Sequence, residues 1–111
     1  MSSTTAEDLQ VLSGIIGRKV LAHALGVSEG GLRRMIHGRR LIPVNLAHRV
    51  SYLLLLANDL TQRPTPEGVR EWFDHIFPDL GNRTPHEILA RPWEPDSLDA
   101  KTIRAIAQGT F

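Results

Sequence analysis

The chain contains no cysteine. That absence excludes a disulfide framework and any thiolate metal centre, and it fits a reducing, cytoplasmic setting. Aromatic residues are few: two Trp, three Phe and one Tyr in 111 residues. No apolar run exceeds Tyr52–Ala57, far too short to cross a bilayer, so no membrane partner is expected. The amino-terminal MSSTTAEDLQ has neither the basic nor the apolar region of a signal peptide. No internal repeat or low-complexity tract is present.

Signals of catalysis are missing too. Of His23, His37, His48, His75 and His86, no two stand four residues apart. Glu71 and His75 share a helical face but lack a third ligand, so no metal site is expected. No glycine-rich phosphate loop follows a strand, and no local signature exposes a nucleophile. The chain therefore reads as a non-enzyme without cofactors.

Acids are scarce in one region only. From Arg18 to Arg49 there are seven Lys or Arg and a single acid, Glu29, whereas Val50–Phe111 holds six bases and nine acids. The formal net charge of +1 hides this asymmetry. A basic excess confined to one segment is the footprint of a phosphate-facing surface.

That segment also carries a folding pattern. In RKVLAHALGVSEGGLRRMIHGRR, small and apolar residues fall at Leu21, Ala22, Leu25, Gly26, Val27, Leu32 and Met35. The spacing predicts a helix over about 18–25 and another over about 28–37. Gly26 supplies the left-handed turn and Ser28 the cap of the second helix. This is the pattern of a DNA-binding helix-turn-helix; a helical hairpin without a nucleic-acid partner has similar spacing. With the second helix in a major groove, Ser28, Glu29, Gly30, Gly31, Arg33, Arg34 and His37 are the positions expected to reach the DNA. Arg33 and Arg34 are expected to read bases, because a guanidinium pairs bidentately with guanine. Lys19, Arg39 and Arg40 are expected on phosphates. Gly30 and Gly31 offer no side chain, only a close approach of backbone to DNA.

The remaining chain reads as helices. Thr5 caps a first helix, with Glu7 and Asp8 in its first turn and Leu9, Leu12, Ile15 and Ile16 as its stripe; Gly17 breaks it. A long helix opens at Pro43 and carries Leu46, Val50, Leu53, Leu54 and Ala57, widened by Tyr52, Leu55, Leu56 and Leu60. It serves as a core helix, or as a core helix that also lends a face to a homodimer spanning two half-sites. Arg63-Pro64-Thr65-Pro66 ends it. Thr65 caps a helix whose apolar face is Val69, Trp72, Phe73, Ile76 and Phe77, stopped by Pro78. Residues 79–82 form a turn. Thr84-Pro85-His86-Glu87 is a capping box opening a short helix with Ile88 and Leu89. Asp96 or Ser97 opens a last helix through Leu98, Ile103, Ile106 and Ala107, ended by Gly109. The expected fold is all-α: a helix-turn-helix domain over 1–62 and a small helical region over 63–111.

The first sixty residues resemble the Xre/Cro-type helix-turn-helix. The segments Trp72-Phe73, Pro78–Leu89 (PDLGNRTPHEIL) and Ile103–Phe111 resemble the toxin-binding region of the Xre/MbcA/ParS antitoxin family, and together the likeness spans nearly the whole chain. Departures are Asn82-Arg83, where that family usually has Gly-Arg, and the Trp93–Pro95 insert. The resemblance implies a dimer that represses its own operon and blocks an NAD-consuming toxin with its carboxy-terminal residues, here Arg104, Gln108, Gly109, Thr110 and Phe111. The alternative is a stand-alone repressor, such as a phage-type immunity protein, with operator DNA as its partner and no toxin. A toxin gene beside this one favours the first reading, and its absence the second.

Overall fold

Local capping chemistry sets most of the element boundaries in the computed structural model, which describes residues 5–61 and 66–109. Thr5 and Asp8 close a reciprocal capping box at the start of α1 (Ala6–Ile16). Gly17 separates it from α2 (Arg18–Leu25). Gly26 adopts the left-handed conformation, φ 70°. This lets its N–H reach His23 O at 3.1 Å while Val27 N–H reaches Ala22 O at 3.0 Å. These two bonds satisfy carbonyls that the end of α2 would otherwise leave free. Ser28 Oγ then accepts from Gly31 N–H at 2.9 Å and starts α3 (Glu29–Ile36).

A 3-10 turn over Val44–Leu46 leads into α4 (Ala47–Leu60). The helix therefore does not open at Pro43 as the sequence suggested. Pro43 has ψ 140° and caps the 3-10 turn instead. That tighter turn buries Leu46 while leaving Val44 in solvent. Leu55, expected on the apolar face of α4, is half exposed.

Helix α5 covers Pro66–Trp72 only, and the expected continuation to Phe77 is absent. Pro78 disfavours helical backbone at the residue before it, and Phe77 is extended, with φ −116° and ψ 125°. Its N–H bonds Arg83 O at 3.2 Å, and Phe73 O accepts from His86 N–H at 2.9 Å. The backbone groups that would have prolonged α5 are thus used to fold the chain back. Ile76 consequently lies in solvent. Thr65, the expected cap of α5, falls outside the described residues.

A 3-10 turn over Pro78–Leu80 follows, with Gly81 and Asn82 both at positive φ. The predicted Thr84–Glu87 capping box is present at α6 (Pro85–Leu89). Ser97 caps α7 (Leu98–Ala107). Leu98, expected on the apolar face of that helix, is at its first residue and points outward.

The fold is all-α; among the described residues the only β-type pairing is the isolated bridge between Phe77 and Arg83. One apolar core runs through both halves. Leu9, Leu12 and Ile16 of α1, Leu21 and Leu25 of α2, Leu32 and Met35 of α3, and Leu53, Leu56 and Leu60 of α4 join Phe73, Leu80, Leu89 and Ile103. The radius of gyration is 13.3 Å, the value of about 13 Å expected of one compact unit of this length. No helix among the described residues is long and apolar enough to cross a membrane.

Candidate nucleic-acid interface

Helix α3 has two faces of different chemistry. Leu32 and Met35 are almost completely buried, which fixes its rotation against α1 and α2. With that face fixed, helical geometry turns Glu29, Arg33, Arg34 and His37 to solvent. Beyond the helix, Gly38 turns the chain at φ 73°, and Arg39 N–H closes the end on Arg34 O at 2.7 Å. Arg39 and Arg40 follow, both exposed. Arg18 and Lys19 are exposed at the start of α2. Among the described residues, none of these cations forms an ion pair with a carboxylate.

Two predicted contact positions have other structural duties: Ser28, although exposed, spends its hydroxyl oxygen on the cap of α3, and Gly31 is buried. A Cβ built on it would stand 2.7 Å from Arg40 Nη1 and 3.2 Å from Ser28 Oγ. Gly31 is therefore the floor beneath the Arg40 guanidinium. Gly30 differs: a Cβ there would meet Arg34 Nη1 at 3.8 Å, an ordinary contact.

The carboxy-terminal half braces this unit through polar contacts that sequence reasoning missed. Trp93 is buried and donates from Nε1 to Ala24 O at 2.8 Å. Its ring packs against Tyr52, with centroids 5.0 Å apart, and the Arg49 guanidinium lies 5.5 Å from it. Tyr52 donates its hydroxyl to Ala100 O at 2.6 Å. Burial pushes the Tyr52 phenol well above its ordinary range, with Arg104 acting against the shift and Asp59 reinforcing it.

His86 Nε2 meets His23 Nδ1 at 2.8 Å, while His86 Nδ1 meets Asp74 Oδ1 at 3.2 Å. With His86 donating to Asp74, its other nitrogen accepts from the N–H of His23. No spacing rule links residues 63 positions apart, so the sequence carried no sign of this contact. No group of three or more His, Asp or Glu among the described residues could hold a metal ion.

The residues implied by the antitoxin resemblance are divided. Arg104 is held by Asp59 through contacts of 3.0 and 3.4 Å, with the Asp59 side chain largely buried and that of Arg104 partly so. Its guanidinium is thus engaged within the chain. Gln108 and Gly109 are exposed beyond the last turn of α7. Thr110 and Phe111 lie outside the described residues. Comparison with protein-family profiles, curated proteins and solved structures returns no match for this chain.

Proposed function

We propose that the protein is a DNA-binding transcriptional repressor in which α2 and α3 act as a helix-turn-helix. The observation that carries this reading is the outward face of α3. Arg33, Arg34 and His37 stand exposed there, with Arg39 and Arg40 beyond the end of the helix, while Leu32 and Met35 lock the opposite face into the core. Exposed cations without acidic partners repel one another until a polyanion neutralises them. Arg33 and Arg34 read base edges in the major groove, and Lys19, Arg39 and Arg40 take phosphates. Two copies bind as a homodimer, one to each half-site.

The test is titration of the duplex lying upstream of the coding sequence, at several salt concentrations, with a scrambled duplex as control. Arg33→Ala and Arg34→Ala should each cost about 1–3 kcal/mol of preference for the specific duplex and leave binding to the scrambled one. Equal losses on both duplexes would remove these residues from base reading. Failure of the wild-type chain to bind either duplex would refute the reading altogether.

An antitoxin role extends this proposal. It rests on the resemblance of residues 78–89 and 103–111 to the Xre/MbcA/ParS antitoxins, together with the exposure of Gln108 and Gly109. Arg104 is left out of the proposed toxin contact because Asp59 holds it. Co-expression with the product of the adjacent gene tests this role. Removal of residues 109–111 should spare DNA binding and abolish protection; protection that survives the deletion overturns it.

A further inference from the structure

We propose that Gly31 is a positioning residue: the space left by its missing side chain seats the Arg40 guanidinium over the first turn of α3 and aims it at a DNA phosphate. The inference rests on the DNA-binding reading above and explains a feature that reading leaves open, a glycine in the first turn of the proposed recognition helix. A glycine inside a helix is unfavourable relative to alanine, so its presence calls for a local cause. For Gly31 the cause is close approach. Arg40 Nη1 would be 2.7 Å from a Cβ at that position, closer than a carbon and a nitrogen can come without one of them moving. The group displaced furthest would be the far end of an exposed side chain. The Ser28 hydroxyl, 3.2 Å from the same Cβ, would have to give by a few tenths of an ångström, so the fold survives the change and the guanidinium loses its place. The local electrostatics point to an anion. Arg40 lies over the positive end of α3, where a cation is disfavoured, and no carboxylate among the described residues pairs with it. A phosphate arriving there would be met by both the guanidinium and the helix end.

Wild type, Gly31→Ala, Arg40→Ala and the double variant are compared in urea unfolding and in binding to two duplexes of about 30 base pairs, one upstream and one scrambled, over roughly 0.05–0.3 M salt. Gly31→Ala should unfold at a urea concentration close to that of wild type, its gain in helix propensity set against pressure on the Ser28 cap. It should nevertheless lower the slope of log K against log salt by about 0.9 and weaken binding roughly eightfold near 0.1 M salt, equally on both duplexes. Arg40→Ala should match it, and the double variant should lose no more than either single. The NMR signal of Arg40 Nε–H should move in Gly31→Ala and stay in place in Gly30→Ala. Wild-type affinity and slope in Gly31→Ala, additive losses in the double variant, or an unmoved Arg40 signal each overturn the seat alone. A wild-type chain that binds neither duplex overturns the DNA reading and this inference with it.

Discussion

Replacing Trp93 by alanine removes the side chain that joins the carboxy-terminal half to α2 and α4. The ring is only 5% exposed, and truncating a buried tryptophan costs about 3–5 kcal/mol. Two specific contacts go with it. The bond from Nε1 to Ala24 O is worth about 1 kcal/mol, and the Arg49 contact with the ring about 0.5–1 kcal/mol. Part of each is already counted in the truncation figure, so the expected loss is about 4 kcal/mol, against the roughly 5–15 kcal/mol that holds a domain folded. Trp93→Phe keeps most of the bulk and should lose only about 1–2 kcal/mol, chiefly the N–H donor. Trp72 provides the contrast. Its Nε1 is buried and has no partner among the described residues, so Trp72→Phe removes an unsatisfied donor and should change stability by less than about 1 kcal/mol. Urea unfolding followed by far-UV circular dichroism gives the three values, and amide exchange in α2 reports whether the loss reaches the amino-terminal half. A Trp93→Ala cost below about 1 kcal/mol, or α2 amides as protected as in wild type, would refute the idea of one shared core.

Two further predictions concern the contact between α4 and α7. The folded chain holds the Tyr52 proton more tightly than the unfolded chain does, because burial raises its pKa. The corresponding stability is complete below the ordinary tyrosine value of about 10 and is lost as pH rises past it. Tyr52 is the only tyrosine, so near-UV absorbance of the tyrosinate follows it alone. Ionisation should coincide with unfolding, and Tyr52→Phe should flatten the stability profile above that pH; tyrosinate appearing in a fully folded chain would contradict this. Asp59→Ala leaves a partly buried Arg104 without its partner and should cost about 1–2 kcal/mol. Asp59→Ala combined with Arg104→Met should be more stable than either single variant in urea unfolding, and simple additivity would show that the pair is not coupled.

Elements governed by neighbours in sequence were legible. The caps at Thr5, Ser28 and Thr84, the turn at Gly26 and the breaks at Gly17 and Gly109 each depend on a few adjacent residues, and each is found where the side chains dictate. The errors arose where distant groups competed for the backbone. Trp72, Phe73, Ile76 and Phe77 have helical spacing, yet Arg83 and His86 take the hydrogen bonds that would have extended α5. Leu98 has the right period but lies in the first turn of α7, away from the core. At the candidate interface the exposed arginines followed from periodicity once Leu32 and Met35 were placed inside. The burial of Gly31 did not, because it depends on Arg40 returning across the helix after the Gly38 turn. Arg104, assigned to a partner on family resemblance, has its charge met by Asp59, forty-five positions earlier.

The placement of the long-range contacts has a further consequence. Arg70 reaches Gly14 O of α1, Trp93 and His86 reach α2, and Tyr52 and Asp59 of α4 receive Ala100 and Arg104. Each of these ties ends on an element that supports α3 or packs beside its support, while the outward cations of α3 stay exposed. A net-acidic half laid over those cations would have neutralised them and competed with a polyanion. The same half is instead docked on α1, α2 and α4, the scaffold that sets the rotation of α3. On the proposed DNA-binding reading, the carboxy-terminal half would act on the candidate interface by bracing it, not by contributing charge. If the proposed DNA-binding role holds, weakening it at Trp93 should lower DNA affinity by loosening α2, with the slope against salt unchanged, because no phosphate contact is lost.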